Sequence, residues 1–145
     1  VSQQPETGTT IRYYATPLRR LVWIALSLLL LRATWFYVDN DLHLAALIAL
    51  LWLLFTLSWV INLFRVPFAT VTADAVILLE RLRFGRPNFM VVQAGELTSL
   101  TVRPRGRIDI GLGTMGERAV NLKYLSKPDR AAVIEALRAL AVTAA

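Results

Sequence analysis

Apolar residues form two uninterrupted blocks in the first half of the chain and short alternating runs in the second. The block 42–64, LHLAALIALLWLLFTLSWVINLF, holds no acid, Lys or Arg, and as a helix it would extend roughly 34 Å at about 1.5 Å per residue. That length crosses a bilayer core of roughly 30 Å. The other block covers 21–38, and only Asp39, Asn40 and Asp41 part the two. The pattern predicts an antiparallel hairpin of membrane-spanning helices, over about 18–38 and 42–64. Thr16 and Pro17 mark the start of the first helix: a hydroxyl to cap it, then proline where a missing N–H costs nothing. That block ends in RATWFYVDND and not in small residues, so it reads as a permanent anchor and not a cleaved signal.

After Arg65 the period shortens. Strand-like runs cover 68–72, 75–83 and 89–93, broken at Ala73-Asp74 and at Gly85-Arg86-Pro87. Three further runs, 97–103, 107–112 and 118–124, alternate between Pro- and Gly-rich links, which predicts an antiparallel meander of about six strands. Ser126 to Asp129 then reads as a capping box with proline in the first turn. The helix it opens, 127–141, sets Val133, Ile134, Leu137 and Leu140 on one face and Arg130, Glu135 and Arg138 away from it. Residues 1–10 have no apolar periodicity and alone in water should be disordered, and 143–145 should fray. The expected organisation is a polar tail 1–16, a hairpin 17–65 and a β domain 66–145. In class it is membrane α plus β: a two-helix transmembrane hairpin, then a small antiparallel β domain closed by a C-terminal helix.

Charge adds orientation. The chain has 145 residues, 56% of them hydrophobic, yet a net charge of +6. Arg12, Arg19 and Arg20 precede the hairpin and Arg65, Arg81 and Arg83 follow it, while the Asp-Asn-Asp turn carries no basic residue. The positive-inside rule therefore puts both ends in the cytoplasm. Tyr13 and Tyr14 suit the headgroup layer, with Trp23 and Trp59 at the inner interface and Trp35 and Tyr37 at the outer one. Without cysteine there is no disulfide, thiol nucleophile or Cys-based metal site. One histidine and scattered acids form no catalytic arrangement, so neither an enzyme nor a cofactor is expected.

Five features invite a functional reading. Arg32 lies well inside the first span, where an arginine costs about 2.5–3.5 kcal/mol on insertion scales. It either snorkels outward towards Asp39 or meets a partner subunit or bound lipid. His43, at the outer end of the second helix, could in principle ligate a pigment or haem iron, although a lone interfacial histidine is usually no ligand. Ala45 and Ala49, with Ala33 opposite, would let the helices approach closely. Gly111, Gly113 and Gly116 match G-x-G-x-x-G, but a nucleotide site needs a helix after the glycines and 117–125 alternates like a strand.

The last feature is two basic turns: Arg81, Arg83 and Arg86 in one, Arg103, Arg105 and Arg107 in the other. They could form a solvated rim, face anionic headgroups, or face acidic patches on a partner. No recognition helix or stacking aromatics accompany them, so nucleic acid is not an expected partner.

The phrase TADAVIL from Thr72 to Leu78, the lead-in AGELTSLTV, and the ending GERAVNL, LSKPDR and Leu137 to Leu140 follow the two spans in order. Together they resemble membrane-anchored bacterial pleckstrin-homology-like proteins, over roughly 65–141 plus the hairpin. The resemblance implies a PH-like β domain, a place in the bacterial inner membrane, and a binding or scaffold role with no catalytic residues. Joined to the absence of chemistry, the expected function is a non-catalytic accessory subunit of a larger integral-membrane assembly, such as a respiratory or photosynthetic complex. Its hairpin would pack on the flank and its β domain on the cytoplasmic face. The alternative is a tethered module that binds anionic membrane lipids or regulates a partner.

Overall fold

The computed structural model describes residues 9–83, 86–113 and 115–143. Residues 1–8 of the tail expected to be disordered, Gly85 of the first basic turn, Thr114 of the glycine run and Ala144 and Ala145 lie outside the described residues. Two compact units are present: Thr16–Val66, and a unit that joins the described residues up to Ala15 to those from Pro67 onward.

The first unit is a helical hairpin of α1 (Pro17–Asp39) and α2 (His43–Arg65), each of 23 residues and each long and apolar enough to cross a membrane. Pro17 takes the first helical position as expected, but the Thr16 hydroxyl makes no capping bond; its carbonyl accepts the Arg20 N–H at 3.2 Å. The turn closes through two backbone bonds, Asp41 N–H to Val38 O at 3.2 Å and Leu42 N–H to Tyr37 O at 2.9 Å. This is the Schellman arrangement, and it puts Asp41 at φ 55°, a left-handed conformation that Asp adopts more readily than most residues. On α2 the buried positions Ala46, Ala49, Leu53 and Thr56 recur at three- and four-residue steps, which is the seam against α1. Ala33, Ala45 and Ala49 flank a groove of about 310 Å³ between the helices, with Tyr37 and Trp52 at its sides. Towards the open end of the hairpin the Trp23 and Trp59 rings meet at 5.8 Å, and the Arg20 guanidinium sits 4.7 Å over Phe64.

The second unit holds two antiparallel sheets. β1 (Ile11–Tyr13), β2 (Ala69–Val71), β3 (Ala75–Arg83) and β4 (Arg86–Gln93) lie side by side in that order, and β5 (Leu97–Val102), β6 (Arg107–Leu112) and β7 (Gly116–Asn121) form the other sheet. The chain ends in α3 (Lys127–Thr143), which packs on β5, β3 and β2. The strand β1 comes from the segment before the hairpin, where the sequence pattern indicates none. It pairs Ile11 with Val71 and Tyr13 with Ala69, and the Phe68 N–H donates to the Tyr13 carbonyl at 2.8 Å. The two strands that bracket the hairpin are thus sheet neighbours.

Alternation aligns the inward rows: Val71, Val76 and Val92 in one, Ala69, Leu78 and Met90 in the next, all buried. Ile108, Ile110, Leu112 and Val120 supply the second sheet, and Val133, Leu137 and Leu140 the helix. Each fully buried Leu, Ile or Val contributes about 1.5–3 kcal/mol relative to an exposed one. α3 is capped as the sequence indicates, with the Asp129 N–H donating to Ser126 Oγ at 3.2 Å. Arg130 departs from expectation. It is half-buried, donates from Nη2 to the Leu125 carbonyl at 3.4 Å, and stacks where a Cβ on Gly106 would stand.

Candidate functional site

The two arginine-rich turns cap different sheets. Arg103, Arg105 and Arg107 surround the short 3₁₀ turn between β5 and β6, and the turn is tight enough to hold Arg105 at φ 63° and Gly106 at φ 80°. Asp109 faces the same side of β6 as Arg107. Its carboxylate takes bonds from both neighbours, Arg103 Nε to Oδ2 and Arg107 Nε to Oδ1, the latter at 3.3 Å. The Arg103 bond is the main reason that the Asp109 carboxyl is held below its ordinary value. Two of the three guanidinium groups are therefore already partnered within their own hairpin, and Arg105 is left at the exposed tip.

The β3–β4 tip differs. Arg81 and Arg86 are exposed and have no ion-pair partner among the described residues; the side chain of Arg83 lies outside them. Beside them the alternation of β4 buries Met90 and Val92, which leaves Phe89 and Val91 on the other face, 40% and 45% exposed. β4 is the last strand of its sheet, so this apolar strip lies along an edge. A β-bulge between Leu79 and Arg81 places Glu80, whose carboxylate accepts Arg118 of β7 at 2.8 Å and Asn88 at 3.3 Å. That pair ties the two sheets together behind the tip.

Phe89, Val91, Asp109, Glu80 and Arg118 were not indicated by motif, although period two marks the first three: Phe89 and Val91 alternate with Met90 and Val92, and Asp109 shares a face with Arg107 two residues before it. At the other end of β1, burial and the charge of Asp129 push the Tyr13 phenol above its ordinary value.

In the helical unit Arg32 and His43 are both exposed. Trp23, Ser27, Leu30, Thr34 and Tyr37 of α1 are half-buried or buried and mark the side that faces α2, and at 3.6 residues per turn Arg32 lies opposite. His43 is the first residue of α2. Among the described residues no group of His, Cys, Asp and Glu is placed to hold a metal ion. The glycine run does not open a helix: Gly111 lies within β6, paired with Ser99, and Gly116, at φ 72°, starts β7. A phosphate-binding loop requires a helix N-terminus at that point.

The chain matches no protein-family model, no curated protein and no solved structure.

Proposed function

We propose that this protein is a non-catalytic accessory subunit of a larger integral-membrane assembly, anchored by its hairpin and docking through a PH-like domain. The observation that carries the reading is the edge strand β4, which presents Phe89 and Val91 beside the exposed Arg81 and Arg86. Isolated domains keep apolar side chains off open sheet edges because such edges template association, so an edge of this composition fits a surface that is covered in use. Among the described residues, seven strands split four and three and a following helix support the PH-like scaffold that the motifs resemble. The flanking arginines favour a cytoplasmic position for both ends of the hairpin in a bacterial inner membrane.

Purification of the full chain from its native membrane in mild detergent tests the reading. Co-purifying subunits at fixed stoichiometry are expected, and their loss in the pair Phe89→Glu and Val91→Arg places the contact on β4. Migration of the unmodified protein alone, at its own mass, overturns the proposal.

The contrast between the two basic turns supports a second reading, in which the β3–β4 tip binds anionic headgroups. Charges at a membrane surface contribute about 1 kcal/mol each, and apolar Phe89 and Val91 would enter the headgroup layer beside them. On that reading Arg81→Ala with Arg86→Ala lowers retention on anionic vesicles, while Arg103→Ala does not. Equal retention on neutral vesicles excludes it.

A further inference from the structure

We infer that the outer face of α1 is a docking surface for a membrane helix of another polypeptide, one that carries an Asp or Glu at the depth of Arg32; the inference rests on the membrane-subunit reading above. Leu18, Leu21, Ala25, Leu28, Arg32, Trp35 and Asp39 recur along α1 at alternating three- and four-residue steps, the spacing of a helix–helix seam. α2 occupies the opposite side and leaves this face uncovered: Leu18 is 72%, Leu28 61% and Trp35 71% exposed. Ala25 gives the stripe one position where another backbone can come close.

Charge selects the occupant. A guanidinium on the outer side of a spanning helix needs an anion, and the hairpin supplies none at that depth. Its acids are Asp39 and Asp41 at the turn, and the helix between Arg32 and Asp39 is about 10 Å long. A second copy of this chain does not fit, because copies inserted in the same direction would set Arg32 against Arg32. A carboxylate on a different helix satisfies the charge, and an arginine can take it in a two-pronged bond that also fixes the register.

The test uses the full chain in its native membrane, with a photo-reactive phenylalanine analogue at Leu28 and, as a control on α2, at Leu51. The expected result is an adduct from Leu28 with one membrane polypeptide, reduced at least tenfold by Arg32→Leu and retained by Arg32→Lys. The adducted helix should carry an acid at the level of Arg32, and its replacement by the amide should lower the yield as Arg32→Leu does. Arg32→Leu removes the most expensive residue of the span, so its insertion is not at risk. An adduct with lipid alone, a self-adduct, or a yield unaffected by Arg32→Leu overturns the inference. Subunits that co-purify with the full chain whether or not Arg32 is present would remove this inference and leave the accessory role standing; no co-purifying subunit at all would remove both.

Discussion

Gly106 shows how one residue can hold a turn and a helix together. Its φ of 80° belongs to the left-handed region, and a Cβ there would lie 2.7 Å from Arg130 Cζ. Gly116 has a similar φ of 72° but open space around it. Gly116→Ala should therefore cost only the backbone term, about 1–2 kcal/mol, and Gly106→Ala should cost that term plus only a small increment, because what the new methyl meets is the tip of the flexible Arg130 side chain. Urea unfolding of the two variants side by side measures the difference; nearly equal losses are expected, and a much larger loss at Gly106 would show that Arg130 is held rigidly in place. Asp109 makes a pH prediction. Its carboxyl is held below 3.8 in the folded protein, so the stability it adds is present above that value and is lost as pH falls through the lower, folded value. Asp109→Asn should flatten the acid limb of the stability profile and leave the limb above pH about 5 unchanged in slope. The Arg103 and Arg107 pairing could be read from alternation, since Asp109 falls on the side of β6 that Arg107 occupies. Arginines attract attention as binding residues, and an acid two positions away is the simplest sign that they are already engaged.

At the scale of elements, β1 and β2 define what the β unit needs in order to fold. A chain in which Tyr13 is joined to Phe68 by a short Asn-Gly link, omitting the hairpin, should fold with a cooperative unfolding transition, because the Tyr13–Phe68 bond already has the geometry of a closing turn. A fragment that starts at Pro67 lacks β1 and exposes the edge of a three-residue strand, and should be less stable by about 1–3 kcal/mol, the scale of one buried side chain. Identical unfolding midpoints would show that β1 contributes nothing. The two long apolar helices, β3, β5, β6 and α3 were legible because each carries a long or regular pattern, and the Asp-Asn-Asp turn because it breaks one. β1 was not. Three residues give too little alternation to register, Tyr13 and Tyr14 fit a headgroup layer equally well, and the partner strand lies beyond the whole hairpin. The Thr16 cap failed for a related reason: a hydroxyl before proline permits a capping bond without requiring one. The bulge at Glu80 was invisible for the same reason as β1, since its purpose is a contact with Arg118 in the other sheet.

For the whole molecule, the pairing of β1 with β2 constrains topology independently of any charge rule. Strands joined by backbone hydrogen bonds lie on one side of a membrane, so the segment between them crosses it an even number of times. Because the chain has no cysteine, single substitutions make clean reporters. Asn40→Cys should react with a membrane-impermeant maleimide from one side of sealed vesicles, and Gln93→Cys from the other. Reaction of both from the same side would exclude a spanning hairpin. The same pairing also orders events during synthesis. β1 leaves the ribosome before β2 and must wait, unpaired, until both helices have been made and β2 has followed. In a membrane, a hairpin with only one helix across it would leave β1 and β2 on opposite sides, and β1 could not pair. In a hairpin that spans a membrane, a paired β1 therefore reports that the ends of the hairpin came to rest on the same side, and an unpaired β1 leaves the β2 edge open.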